Sequence, residues 1–226
     1  MFRILSTLLL TCLTITPVCA EMVDIPADRD NTLIEDPDGA LANGLGRAFF
    51  AGSTNQAAFG IRRGLIRFDV AAALPKNALI DRVFLSLYQN SNNVAPSAVS
   101  LHRVLDDWGE GASLTGGGGG APAEPGDATW LHTFYDYDFW VQEGGHFIPH
   151  ASATEVVADT DYYTWQSTVN LVNDVRLWLH APQQNFGWLV MGDEDTQGSA
   201  KRFDSREGQE DDQHPVLTVE YHLPGE

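Results

Sequence analysis

Apolar and polar residues alternate over several short stretches of the chain, the pattern of strands with one buried face. The longest stretch is 78–88 (ALIDRVFLSLY), with apolar residues at Ile80, Val83, Leu85 and Leu87. Further strands are predicted at 65–70, 98–104, 155–158, 187–191, 200–204 and 216–221. Clusters of Gly, Pro, Asn and Asp separate these stretches, as turns require. The pattern predicts an all-β fold, which we interpret as a jelly-roll β-sandwich.

One segment has helical spacing instead. In 169–179 (VNLVNDVRLWL) the apolar residues recur every three or four positions, which places them on one helical face. Thr168 or Ser167 can cap the first turn, and Pro182 ends the pattern. We expect a single short helix at one end or edge of the sandwich.

A long glycine-rich loop interrupts the strands at 106–127. It contains the glycine run 116–120, and Pro122 and Pro125 stiffen the residues that follow. Strand patterns resume after it, so we interpret it as a surface loop and not as a domain linker. The run is not followed by Lys, as a phosphate-binding loop would require.

The N-terminus has the pattern of a signal peptide. Arg3 precedes an apolar stretch at 4–18, and Val-Cys-Ala at 18–20 suits a cleavage site. We therefore expect cleavage after Ala20, a single domain at 21–226, and a secreted or periplasmic location. Lipidation at Cys19 is disfavoured because no small residue precedes that cysteine. No stretch approaches the ~20 apolar residues of a transmembrane helix, so we expect no membrane span.

Charge and cysteine content exclude several classes of function. Lys and Arg number 13 against 31 Asp and Glu, a formal net charge of −18. A nucleic-acid or anionic-membrane partner requires a basic surface, so we expect neither. Cys12 and Cys19 both lie within the predicted signal peptide. The exported chain would therefore have no disulfide and no catalytic thiol.

An aromatic segment at 129–141 (TWLHTFYDYDFWV) is the candidate ligand site. Sugars stack their apolar faces on exposed rings, while carboxylates accept hydrogen bonds from hydroxyl groups. The predicted binding residues are Trp130, Tyr135, Tyr137 and Trp140, with Asp136 and Asp138 between them. The alternative is a segment that packs half of its rings into the core.

Acidic residues near the start of the exported chain are candidate calcium ligands, since calcium takes six to eight oxygen atoms. The candidates are Asp28, Asp30, Asp36 and Asp38. Calcium would have a structural role. The alternative is a set of solvated carboxylates that keep the protein soluble.

Arginines concentrate in two segments, at Arg62, Arg63, Arg67, Arg202 and Arg206. We favour ion pairs with carboxylates on adjacent strands, such as Arg67 with Asp69, or Arg206 with Glu207 or Asp204. The alternative is a patch that binds the carboxylate of a uronic acid.

Several blocks together resemble the DNRLRE family of secreted β-sandwich domains. The blocks are 29–33 (RDNTL), 43–44 (NG), 62–69 (RRGLIRFD), 107–110 (DWGE), 202–207 (RFDSRE) and 214–221 (HPVLTVEY). The match extends over essentially the whole chain after residue 20. The family's six-residue signature is matched at 203–207 only in its Arg-Glu end. The resemblance implies a jelly-roll fold, an extracellular setting and a relation to modules that bind alginate-like glycans.

Three classes of function follow from these observations. The preferred one is an exported module that binds an extracellular polysaccharide without chemistry. The second is a structural or adhesive protein of the cell surface or matrix. The third is a polysaccharide-degrading enzyme, although no spacing singles out a catalytic set of Tyr, His and Arg residues.

Overall fold

The computed structural model describes residues 20–92 and 95–225. The predicted signal peptide lies outside the described residues except for Ala20, so its cleavage and the export of the chain stay predictions. Within the described part of the chain, no helix combines the length and apolar character needed to cross a bilayer.

The described residues form mainly β-strands. The strands are β1 (Glu21–Ile34), β2 (Leu41–Ala42), β3 (Ala48–Ser53), β4 (Ile61–Phe68), β5 (Leu79–Gln89), β6 (Ser97–Arg103), β7 (Ala121–Pro122), β8 (His132–Phe134), β9 (Asp138–Phe139), β10 (Ala153–Val157), β11 (Asp161–Trp165), β12 (Trp188–Met191), β13 (Lys201–Asp204) and β14 (Val216–His222). The helices are α1 (Val70–Ala73) and α2 (Val169–His180), with 3₁₀ turns at Pro182–Gln184 and Asp211–Gln213. The all-β prediction is confirmed.

Six strands close into a barrel by antiparallel pairing. The ring runs β1, β14, β5, β13, β3 and β4, and β4 pairs back to β1. Strand β1 closes it because its first half pairs with β14 and its second half with β4, after a register shift between Ala27 and Arg29. Strands β12, β6 and β10 extend the barrel from β4, and β11 pairs with β5.

The seven strands predicted from alternation are all present, as β4, β5, β6, β10, β12, β13 and β14. The other seven strands, among them β1, β3 and β11, were not among those predicted from alternation. In β3 all six residues are buried, so no alternation exists to reveal it. In β1 the burial pattern changes along the strand, because the strand passes from one part of the barrel to another.

The predicted helix is confirmed as α2. The Thr168 hydroxyl accepts a hydrogen bond from Leu171 N at 3.0 Å, and Leu171, Val175 and Trp178 are fully buried. The expectation of a single helix is wrong, because a second, four-residue helix, α1, follows β4. Asp69 caps this helix.

The apolar interior is divided between the two faces of the strands. Ile66 and Val190 belong to the large cluster inside the barrel, whereas their neighbours Leu65 and Leu189 belong to a second cluster. Successive residues of a strand point to opposite faces, so this second cluster covers the outer face of β4 and β12. It is completed by residues of the long segment after β6, namely Val104, Trp108, Ala128, Trp130 and Trp140. The glycine-rich loop and the aromatic segment are therefore folded over the barrel wall.

Candidate functional sites

The segment after β6 is held against the barrel by specific hydrogen bonds. Asn31 Nδ2 on β1 donates to the carbonyl oxygens of Glu110 at 3.0 Å and Ala128 at 3.3 Å. The Asp127 carboxylate accepts from the backbone N–H groups of Ser113 at 3.4 Å and Glu124 at 2.6 Å. Gly111, at φ +73°, lies so close that a Cβ there would stand 1.7 Å from Asp127 Oδ1. The close approach and the positive φ both require glycine at this position.

The expectation that Trp130 and Trp140 offer stacking faces is wrong. Their residues are only 8% and 6% exposed, and both indoles pack in the outer cluster. Trp140 Nε1 donates to Thr129 O at 2.9 Å. The Arg63 guanidinium lies 4.9 Å from the centre of the Trp130 ring. These rings are buried because the outer face of the barrel wall needs an apolar cover, and a large aromatic side chain buries the most area.

The remaining aromatic residues form an exposed hairpin of β8 and β9. His132 pairs with Phe139, and Phe134 pairs with Asp138. Tyr137 is 62% exposed and Phe139 is 64% exposed. The Tyr137 ring stacks on Phe134, with centroids 5.9 Å apart and planes 14° apart, and the Phe139 ring lies 4.4 Å from His132.

The other predicted binding residues lie on this hairpin too. Asp136 and Asp138 are exposed, and Tyr135 is half-buried. Tyr135 contacts the edge of His132 at 5.1 Å, and its backbone N–H donates to Asp127 O at 2.7 Å. The hairpin is therefore attached to the glycine-rich loop through the first residue of its turn. The turn and β9 present two rings and two carboxylates to solvent.

The expected calcium ligands do not lie together, so that prediction is wrong as a set. Asp28 forms an ion pair with Arg67, and Asp36 accepts a hydrogen bond from Ala40 N at 2.8 Å. Asp38 is exposed in the following turn. Asp30 alone enters a carboxylate cluster, and its neighbours there come from distant parts of the chain.

Three carboxylates meet where β1, the segment after β6 and the turn after β13 converge. Asp30, Glu110 and Glu207 each place one oxygen within 4.8 Å of the others. Arg206 joins the cluster: its Nε and Nη2 donate to the two oxygens of Glu110, each at 2.8 Å. Its Nη2 also lies 2.8 Å from Glu207 Oε1, and its backbone N–H donates to Asp30 Oδ2 at 2.9 Å.

This cluster, which we call the Asp30 cluster, is strongly desolvated. Asp30 is 1% exposed, and burial raises its pKa well above the usual value despite the hydrogen bond from Arg206 N. Burial also raises the pKa of Glu207. The paired hydrogen bonds to Glu110 raise the pKa of Arg206. Asp30 Oδ1 and Glu207 Oε2 are buried and accept no hydrogen bond.

Most of the arginines have internal partners, as predicted. Arg206 pairs with Glu207, one of its two expected partners, and also with Glu110, but other pairs differ from the prediction. Arg67 pairs with Asp28 instead of Asp69, which caps α1. Arg63 forms a two-pronged pair with Glu194, at 2.7 and 2.9 Å. Arg62 is buried and donates to the carbonyl oxygens of Phe59, Ile61 and Gly118.

Arg202 lines a groove. It donates to Asn90 Oδ1 and borders an open groove of about 500 Å³. Amide side chains and glycine backbone supply much of the lining. The residues include Phe50, Asn55, Gln56, Asn92, Gly118 and Arg202. This groove was not predicted, because its wall is assembled from four separate parts of the chain.

The partners of Asp30 were also missed by sequence reasoning. Glu110 and Glu207 stood in the blocks that resemble the DNRLRE family, next to Trp108 and Arg206. Their shared membership of those blocks was the available signal. Sequence spacing gave no signal, because Glu110 lies 80 residues after Asp30 and Arg206 lies 176 residues after it.

Comparison with known proteins adds no relative. No protein-family model matches the chain, and a search of curated proteins found none that matches it.

Proposed function

We propose that this protein binds an extracellular polysaccharide, without chemistry, through the exposed hairpin of β8 and β9. The observation that carries the proposal is the exposure of Tyr137 and Phe139 beside the exposed carboxylates of Asp136 and Asp138. Apolar rings so exposed cost free energy in water unless a partner covers them. A sugar ring matches such a surface, because its C–H face packs on the ring while its hydroxyls donate to the carboxylates.

The rings are held in place before a ligand arrives. Phe134 supports one face of Tyr137, and His132 supports Phe139. The His132 ring nitrogen Nδ1 lies 2.9 Å from Thr129 Oγ1, which ties the hairpin to the buried segment behind it. Side chains fixed in this way lose little conformational entropy on binding, so more of the stacking energy contributes to affinity.

The finer description of the fold belongs to the same proposal. Strands β1 and β3 each take part in two ladders, so the closed barrel can be described as two sheets that share these strands. We propose on this basis that the barrel is a distorted jelly roll of the DNRLRE type, in one domain at 21–226. The signal-peptide pattern at 1–20 supports a role outside the cytoplasm.

The test is affinity gel electrophoresis through a panel of neutral and acidic polysaccharides. Tyr137→Ala and Phe139→Ala are each expected to weaken the retarding interaction about tenfold, since a lost aromatic contact costs about 1.4 kcal/mol. The matched control is Tyr162→Ala, which removes another exposed aromatic ring on β11. Its mobility is expected to equal that of the wild type on every gel.

A further variant separates the hairpin from the groove. Arg202→Ala removes the guanidinium that lines the groove and leaves the hairpin intact. If Arg202→Ala loses retardation while Tyr137→Ala is retarded like the wild type, the groove and not the hairpin is the binding site. If no polysaccharide retards the wild-type protein, the proposal is contradicted and the structural or adhesive role is favoured.

A further inference from the structure

We propose that the Asp30 cluster is a calcium site that joins β1, the segment after β6 and the turn after β13. This goes beyond glycan binding, since the cluster is partly buried and contains no residue of the hairpin. Its ligands are the carboxylates of Asp30, Glu110 and Glu207. Carboxylate oxygens are the ligands that hard divalent cations prefer.

The first argument is the state of the ligand atoms. Asp30 is almost completely buried, yet its Oδ1 accepts no hydrogen bond, and the same holds for Glu207 Oε2. A buried carboxylate oxygen without a partner is costly, and native proteins rarely leave one. Two such oxygens beside a third carboxylate create a site that a cation can satisfy.

The second argument is charge. Arg206 supplies the positive charge that contacts the cluster, against three carboxylates. With all three ionised, the group carries two net negative charges. One divalent cation neutralises it. Burial of uncompensated charge would otherwise be expensive, because Asp30 is almost completely removed from water.

The third argument is size. The three ligand oxygens lie within 4.8 Å of one another. Calcium binds oxygen at about 2.3–2.6 Å, so two of its ligands can stand up to about 5 Å apart, and the three oxygens meet that limit. The irregular set of two glutamates and an aspartate, already engaged by Arg206, suits the flexible geometry of calcium.

The site would stabilise the fold because it links residues far apart in sequence. A ligand that binds only the folded state raises its stability in proportion to the logarithm of ligand concentration over Kd. At a hundredfold excess over Kd, a domain of this size is expected to melt about 5–10 °C higher. The increase should continue as calcium is added.

The experiment compares thermal unfolding and calorimetric titration of the EDTA-treated protein with CaCl₂ and with MgCl₂. The variants are Asp30→Asn and Glu207→Gln. Asp30→Asn keeps an oxygen that can accept the hydrogen bond from Arg206 N, Glu207→Gln keeps an oxygen near Arg206 Nη2, and each variant removes one charge. Asp38→Asn is the matched control, an exposed acid outside the cluster.

The expected result is a calcium-dependent rise in Tm and a measurable heat for wild type and Asp38→Asn, with a smaller response to magnesium. Asp30→Asn and Glu207→Gln should fold, with unchanged near-ultraviolet circular dichroism, and should lose the calcium shift. In EDTA, Asp30→Asn should melt at or above the wild type, because asparagine neither buries a charge nor has to take up a proton on folding. This result separates a lost site from a damaged fold.

Two results would overturn the proposal. One is a wild-type Tm that is the same in EDTA and in millimolar calcium, with no heat of binding; the cluster would then be a set of carboxylates that share protons. The other is an equal calcium shift in wild type and Asp30→Asn, which would place the ion elsewhere. An equal response to magnesium would overturn the assignment to calcium.

Discussion

Arg206 and Glu110 form a two-pronged ion pair across 96 residues of sequence, with Nε and Nη2 each 2.8 Å from a different carboxylate oxygen. Glu110 Oε1 also accepts from Asp30 N at 2.9 Å. The pair thus joins the turn after β13, the segment after β6 and the middle of β1. Bidentate charge-assisted hydrogen bonds are among the strongest in proteins, and this one is partly shielded from water.

Arg206→Ala is expected to lower the free energy of unfolding by about 2–3 kcal/mol. The variant leaves three carboxylates close together without the positive charge of the guanidinium, and it removes both hydrogen bonds to Glu110. Urea unfolding measures the change. Arg82→Ala is the control, because Arg82 pairs with Glu220 at 3.5 Å on the exposed surface and should cost under about 0.5 kcal/mol. Equal values for the two variants would contradict the structural role of Arg206.

Trp140→Ala is expected to lower the free energy of unfolding by about 3–5 kcal/mol, since it empties a buried site and removes the bond to Thr129 O. Tyr137→Ala, three residues earlier, should change it by no more than about 0.5 kcal/mol because Tyr137 is exposed. Guanidinium unfolding of both variants checks the contrast. A stable Trp140→Ala protein would mean that the indole is not part of the core.

Asp174 on α2 is also expected to contribute strongly to the stability of the fold. Its carboxylate is largely buried, accepts from Trp188 Nε1 at 2.9 Å and from Ser152 Oγ, and lies 3.2 Å from Arg103 Nε. Asp174→Ala leaves those donors without their acceptor, so a loss of about 3 kcal/mol is expected by urea unfolding. The exposed Asp161→Ala provides the comparison. A loss no greater than that of Asp161→Ala would show that the network adds no stability.

The calcium-free protein should lose stability as pH rises, through Asp30. Burial raises the pKa of Asp30, so the folded state holds a proton that the unfolded chain has released. That contribution is fully present below the unfolded pKa of about 3.9 and is lost as pH rises through the folded pKa. The charged groups that act on Asp30 are Glu110, Glu207 and Arg206, and the pKa of Glu207 is raised in the same direction.

Urea unfolding in EDTA, from about pH 4 to about pH 8, measures this effect. The stability of wild type relative to Asp30→Asn should fall across the range, since the asparagine does not titrate. Calcium should restore the wild type most at the higher pH, where the carboxylates are ionised. Parallel profiles for the two proteins would show that Asp30 has the same pKa in the folded and unfolded states.

The sequence by itself determined the all-β class, seven of the strands and the capped helix α2, because each of these depends on the spacing of neighbouring residues. Alternation reveals a strand with one buried face, and spacing of three and four reveals a helix. Alternation did not predict strand β3 because both of its faces are buried. It did not predict β1 because the pairing of that strand changes partway along. The sequence also singled out the segment at 129–141 as rich in rings.

Only the tertiary structure decided which of those rings are available and which carboxylates meet. Trp140 and Tyr137 are three residues apart in the same segment, yet one covers the barrel wall and the other faces solvent. Asp28 and Asp30 are two residues apart, yet Asp28 pairs with Arg67 while Asp30 meets Glu110 and Glu207. The reason is that burial and ion pairing depend on contacts made across the closed barrel, and no local spacing encodes those contacts.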